Sequence, residues 1–137
     1  MAKIKQLHQL IRFGISGVVG FLADAGIVAL CTQSVGVRPI PAQVVAFSVA
    51  VTVTWLINRH WTFAEHASER WVQEWLRYIA ANSLGAAVNN GVFAVLILTT
   101  TQFRRIPVLA VAIGSLAGMG FNFLSSKNFI FIKRHNI

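Results

Sequence analysis

The stretch FGISGVVGFLADAGIVALC, from Phe13 to Cys31, decides the class of fold. Its only charged residue is Asp24, and its length is close to the ~20 apolar residues that a helix needs to cross a hydrocarbon core about 30 Å thick. Three comparable runs follow, at about Pro41 to Ile57, Tyr78 to Leu98 and Pro107 to Leu124. Short connections at Thr32 to Ile40 and Thr99 to Ile106 tie the runs into two helical hairpins, and a longer charged loop from about Asn58 to Arg77 lies between them. Backbone in lipid must satisfy its own hydrogen bonds, so each run reads as a helix. The expectation is an all-α integral membrane protein with four transmembrane helices in one membrane domain. Repeat 1 spans about residues 10–63, an interfacial loop about 64–76, and repeat 2 about 77–131.

Composition agrees. Of 137 residues, 55% are hydrophobic and only 12% charged, with a mean hydropathy of +0.64, so a water-soluble fold would lack a polar skin. The net charge of +8 would suggest nucleic acid in a chain of ordinary polarity; in one this apolar it points to anionic or phosphate-bearing lipid. Cys31 stands alone, which rules out an internal disulfide and any thiolate metal site. The first run follows Lys3, Lys5 and Arg12, as a signal peptide would, but Leu30 is too large for the position before a lipoprotein-type cysteine, and the run is long for a signal core. The segment is therefore expected to be retained.

Comparison of the halves strengthens that expectation. Arg12-Phe13 aligns with Arg77-Tyr78, and in the same register Gly20 meets Gly85, Asp24 meets Asn89 and Gly26 meets Gly91. In the second helix of each half Pro39 aligns with Pro107, Ala46 with Gly114, Ala50 with Gly118 and Thr54 with Asn122. The run Asn58-Arg59-His60-Trp61-Thr62-Phe63 then meets Ser126-Lys127-Asn128-Phe129-Ile130-Phe131. Each half crosses an even number of times, so the repeats are expected to run parallel, related by an axis along the membrane normal. One side carries Lys3, Lys5, Arg12, Arg59, Arg70, Arg77, Lys127, Lys133 and Arg134, and the other only Arg38, Arg104 and Arg105. The positive-inside rule places both termini and the central loop in the cytoplasm.

Two constellations are candidates for function. Arg12, Arg59, Arg77 and Lys127 set one cation per helix at one membrane level, beside the interfacial aromatics Trp61, Tyr78 and Phe129 with Phe13. Such a ring can capture a lipid phosphate through charge-assisted hydrogen bonds; equally, flanking cations snorkel to the interface with no ligand at all. The second constellation lies inside the spans. Gly17, Gly20 and Asp24 share a stripe on the first helix, Asn82, Gly85 and Asn89 on the third, with Asn90 alongside. Thr54 and Asn58 continue Ala50 on the second helix, and Asn122 and Ser126 continue Gly118 on the fourth. Polar groups in hydrocarbon are costly unless they face one another or a watery path, so these faces are expected to converge. Asp24 is the one acid within a span: ionised it can accept sugar hydroxyls or pair with a cation, protonated it can couple transport to protons, and it can equally make a structural hydrogen bond to Asn89 or Asn90. Ser16-x-x-x-Gly20, Ala81-x-x-x-Gly85, Ala46-x-x-x-Ala50 and Gly114-x-x-x-Gly118 read as helix-packing motifs. Glu65 to Leu76, with Trp71 and Trp75, reads as an amphipathic helix lying at the interface, where it anchors the loop or docks a partner. His8, His60, His66 and His135 share no motif, and the sequence contains no catalytic triad, glycine-rich phosphate loop or metal-ligand spacing. Neither catalysis, a metal nor a cofactor is expected.

These residues resemble the GtrA-like family of small four-helix bacterial membrane proteins. The resemblance rests on Arg12-Phe13-Gly14 with Gly17, Gly20 and Asp24, on Asn58-Arg59-His60-Trp61-Thr62-Phe63, on Arg77-Tyr78 and on Lys127-Asn128-Phe129-Ile130-Phe131, and it covers about residues 8 to 133. In the second copy Ser126-Lys127 stands where Asn-Arg stands in the first. The resemblance implies translocation of a polyprenyl-phosphate-linked sugar, such as undecaprenyl-phosphate glucose, across the bacterial cytoplasmic (inner) membrane for cell-surface polysaccharide synthesis. Some members are described instead as scaffolds that anchor a membrane glycosyltransferase, and a proton-coupled small-molecule exporter is a third reading. Four helices enclose little volume, so a homodimer or higher oligomer is expected.

Overall fold

The computed structural model describes residues 1–132, all helix and connection; Lys133, Arg134 and His135, which entered the reading above, lie outside the described residues. Helix α1 runs Ala2–Ala29 and ends in a π-helical turn, Leu30–Ser34. Helix α2 is Pro39–Ile57 with a π-helical turn at Asn58–Thr62, followed by a 3₁₀ turn, Ala64–His66. Helix α3 is Trp71–Thr99, the short α4 is Thr101–Arg105, and α5 is Pro107–Ser125, again with a π-helical turn, Ser126–Ile130. Pro39 and Pro107 open α2 and α5 because the first helical position needs no backbone N–H and proline's fixed φ suits it.

Among the described residues, four segments are long and apolar enough to cross a membrane: Ala2–Ser34, Pro39–Thr62, Trp71–Thr99 and Pro107–Ile130. Only 6–28% of each apolar core is buried within the protein, so most of the apolar surface is left for lipid. The first helix begins well before Phe13, where the apolar run starts. Lys3, Lys5, Gln6, Leu7 and Gln9 are good helix formers and carry the helix out of hydrocarbon. At 1.5 Å per residue, the 33 residues of Ala2–Ser34 reach about 50 Å, so its basic end must extend beyond a core about 30 Å thick. The interfacial helix expected over Glu65 to Leu76 is not a separate element, because Trp71 already opens α3 and the segment's second half forms its first turns.

The chain forms two compact units. One is Met1–Trp75 with Phe131 and Ile132 of the described residues; the other is Leu76–Ile130. In the first, α1 and α2 pack through small residues: Ala42 and Ala46 on α2 are fully buried and Ala50 nearly so, and Ser16 and Gly20 on α1 are buried too. A Cβ on Gly20 would run into the Thr54 methyl, so glycine is needed for this approach. The buried Ser16 hydroxyl donates to the Thr54 carbonyl at 3.4 Å. Phe63 stacks on Phe131 with ring centroids 4.9 Å apart and meets Phe13 edge-on at 6.3 Å.

In the second unit α3 and α5 also meet through glycine. A Cβ on Gly85 would overlap the Asn122 amide, and one on Gly118 would lie 2.9 Å from the Asn89 Cβ and 3.0 Å from the Gly85 carbonyl oxygen. At Gly114 it would lie 2.7 Å from the Asn89 carbonyl oxygen. The small-xxx-small motifs therefore act as contact faces, as lipid-embedded helices without a hydrophobic drive between them require. Gly20 opposes Thr54 in one unit, and Gly85 opposes Asn122 in the other.

Candidate functional site

At the basic end of the first unit, the α1 extension and the turns after α2 enclose a cleft of about 250 Å³ lined by Lys5, His8, Gln9, Arg12 and residues 61–66. Arg12 donates to the Trp61 carbonyl oxygen at 3.1 Å and lies 5.4 Å over the Trp61 ring. Lys5 pairs with Glu65 at 3.1 Å, both side chains being largely exposed. Trp61 is 41% exposed, in keeping with an interfacial aromatic, and Phe129 is more so, but Tyr78 is 1% exposed and is a core residue of its helix. Arg77 is exposed and Lys127 half-buried, both in the second unit.

Arg59 has a different setting. Its guanidinium donates to Glu74 Oε1 at 2.6 Å and to the Ser68 carbonyl at 2.8 Å, and it lies 5.8 Å from the Trp55 ring centroid. Glu74 is 3% exposed and also accepts from the Trp55 indole at 3.0 Å and from the Ser68 N–H at 2.6 Å. Both carboxylate oxygens are thus satisfied, which is what lets a charge be buried here. Arg59 braces the loop and the start of α3. Glu74 belongs to no motif, but its register carries a signal: Glu74, Tyr78, Asn82 and Gly85 follow at spacings of four, four and three, one helical face. Trp75 is likewise turned inward, donating to Thr52 Oγ1 at 3.1 Å, whereas Trp71 is 56% exposed.

Within the spans, Asp24 accepts from Gln43 Nε2 at 3.0 and 3.4 Å. Gln43, the only long polar side chain in the second apolar run, is this partner, and within the second unit Asn90 donates to its own helix at Ala86. Asn82 does the same at Tyr78. Thr54 donates to the Val51 carbonyl, and Asn58, 1% exposed, accepts from Thr62 at 2.8 Å. Asn89 and Asn122 are the residues against which the α5 and α3 glycines close. Thr54, Asn58, Asn82 and Asn90 thus bond locally, whereas Asp24 and Gln43 pair between two helices, with Gln43 exposed and Asp24 half-buried, and Asn122 Oδ1 and Ser126 Oγ are buried with no hydrogen-bond partner among the described residues. Twelve residues separate Asp24 from Arg12, about 18 Å along α1.

A family model described as GtrA/DPMS, transmembrane domain, matches residues 12–131. The chain belongs to this family. Its GtrA-type membrane domain is associated with processes on polyprenyl-linked sugars and is generally non-catalytic. The match runs from Arg12 to Phe131, and the chain is a multi-pass membrane protein with four spans among the described residues. No curated protein matches the chain in a sequence comparison.

Proposed function

We propose that this GtrA-family protein moves a polyprenyl-phosphate-linked sugar from the cytoplasmic to the outer leaflet of a bacterial inner membrane, for cell-surface polysaccharide synthesis. The observation that carries the reading is the Asp24–Gln43 pair, a carboxyl and an amide held together on an exposed face within a membrane span. Such groups in hydrocarbon are expensive and mark paths for polar cargo. Arg12, at the basic end of the same helix, is the phosphate contact, while Arg59 is held by Glu74 and supports the loop. The prenyl chain remains in lipid throughout.

Both repeats are read as copies of one hairpin, because Gly20 with Thr54 and Gly85 with Asn122 are aligned positions that make the same contact within their own units. Charge asymmetry supports cytoplasmic termini. A homodimer or higher oligomer would add to the volume that four helices enclose. In vesicles, the protein should accelerate leaflet exchange of a labelled polyprenyl-phosphate sugar, and Asp24→Leu combined with Gln43→Leu should remove the acceleration while leaving the helical circular dichroism unchanged. Exchange at the wild-type rate in that double variant would overturn the role of the pair.

A scaffold for a membrane glycosyltransferase is the second reading, favoured by exposed Trp71, Val72 and Leu76 at the start of α3. Under that reading, copurification of the enzyme is lost in Trp71→Ala and survives the Asp24 and Gln43 changes.

A further inference from the structure

The cleft at the basic end of the first unit has features that topology alone does not require. Positive-inside charge needs only exposed cations, yet here Lys5 and Arg12 line one concavity, with the His8 and His66 rings beside them. Trp61 and Phe63 add aromatic lining. Arg12 spends one N–H on the Trp61 carbonyl, which fixes its plane and leaves a guanidinium with further donors. Among the described residues that line the cleft the one carboxylate is that of Glu65, and it is paired with Lys5. At about 250 Å³ the volume lies below the roughly 300–1,000 Å³ of clefts that enclose drug-sized ligands, so it admits a phosphate and part of what it carries but no prenyl chain.

We infer that this cleft is a phosphate-binding site contained in the first unit alone, in which Lys5 and Arg12 hold a phosphoryl group and Glu65 occupies Lys5 until the phosphate displaces it. The inference rests on the proposed function for its natural ligand, a lipid phosphate arriving from the cytoplasmic leaflet, but its chemistry would serve a free phosphate equally. The phosphate offers Lys5 more charge than a single carboxylate and adds the remaining donors of the Arg12 guanidinium. The Lys5–Glu65 pair is exposed and so weak enough to exchange.

The test is equilibrium binding to the full chain in detergent, titrated separately with inorganic phosphate and with farnesyl phosphate, alongside leaflet exchange in vesicles. Lys5→Gln and Arg12→Gln should each weaken binding about tenfold or more, the loss of one charge-assisted contact. Glu65→Gln should tighten it several-fold, since Lys5 is released; a gain of affinity cannot come from a damaged fold. Arg38→Gln, at the other end of the spans, should change nothing. Equal affinity for the two probes identifies free phosphate as the ligand, and preference for farnesyl phosphate identifies the lipid. Binding indifferent to all three cleft variants, or weakened by Glu65→Gln as by Lys5→Gln, overturns the site. Normal exchange with no cleft-dependent binding rejects the cleft and spares the transport reading; cleft-dependent binding without exchange does the reverse.

Discussion

Removing the Glu74 carboxylate tests whether Arg59 is a brace. The carboxylate is almost fully buried and receives three donors: the Arg59 guanidinium at 2.6 Å, the Trp55 indole at 3.0 Å and the Ser68 N–H at 2.6 Å. Glu74→Ala strands all three, and breaking a buried ion pair from one side costs about 3–5 kcal/mol. Glu74→Gln keeps the volume and one acceptor oxygen but loses the charge and turns an NH₂ toward a donor, so about 1.5–3 kcal/mol is expected, the range for hydrogen bonds to charged groups. Arg59→Met should lie between, and the Arg59→Met, Glu74→Gln double variant should be less destabilised than the sum of the two singles. Equilibrium unfolding in mixed detergent micelles measures all four. Single variants within about 0.5 kcal/mol of wild type, the range of ordinary surface substitutions, would refute the brace. So would a phosphate affinity that rises when Glu74 is neutralised, because Arg59 would then be a ligand competed for by Glu74.

Gly118→Val should destabilise the second unit by about 1–3 kcal/mol or prevent its packing, since the added carbons meet the Gly85 carbonyl and the Asn89 side chain; unfolding of the variant in micelles reads it. Lys5→Gln should shift stability by less than about 1 kcal/mol, because its partner is exposed, so its binding defect and its stability separate cleanly in a thermal melt. Trp75→Phe should lose the hydrogen bond to Thr52, about 0.5–1.5 kcal/mol, while Trp71→Phe should leave stability unchanged.

Much of the fold was legible from the sequence. Four apolar runs correspond to the four membrane-length helices of the described residues because length and hydropathy decide what crosses a bilayer. The glycines at positions 20, 85, 114 and 118 revealed contact faces because only they allow the backbone approach. Boundaries were less legible where helix propensity outran hydrophobicity, as at Ala2 to Arg12 and at Trp71 to Arg77. Of the candidate site, Arg12 and Trp61 do meet, through a hydrogen bond and a cation–π contact. Arg59 could not be told from a ligand by motif alone, since its meaning depends on Glu74, fifteen residues on and brought to it only by the fold. Gln43 is hidden for the same reason: its reach to Asp24 is a property of the hairpin register.

The most direct test of the account is leaflet exchange of a labelled polyprenyl-phosphate sugar in vesicles containing only this protein. Exchange faster than in protein-free vesicles of the same lipid, and abolished by Asp24→Leu with Gln43→Leu, is the predicted result. Exchange no faster than in the protein-free vesicles, by a protein shown to be folded and inserted, would contradict it.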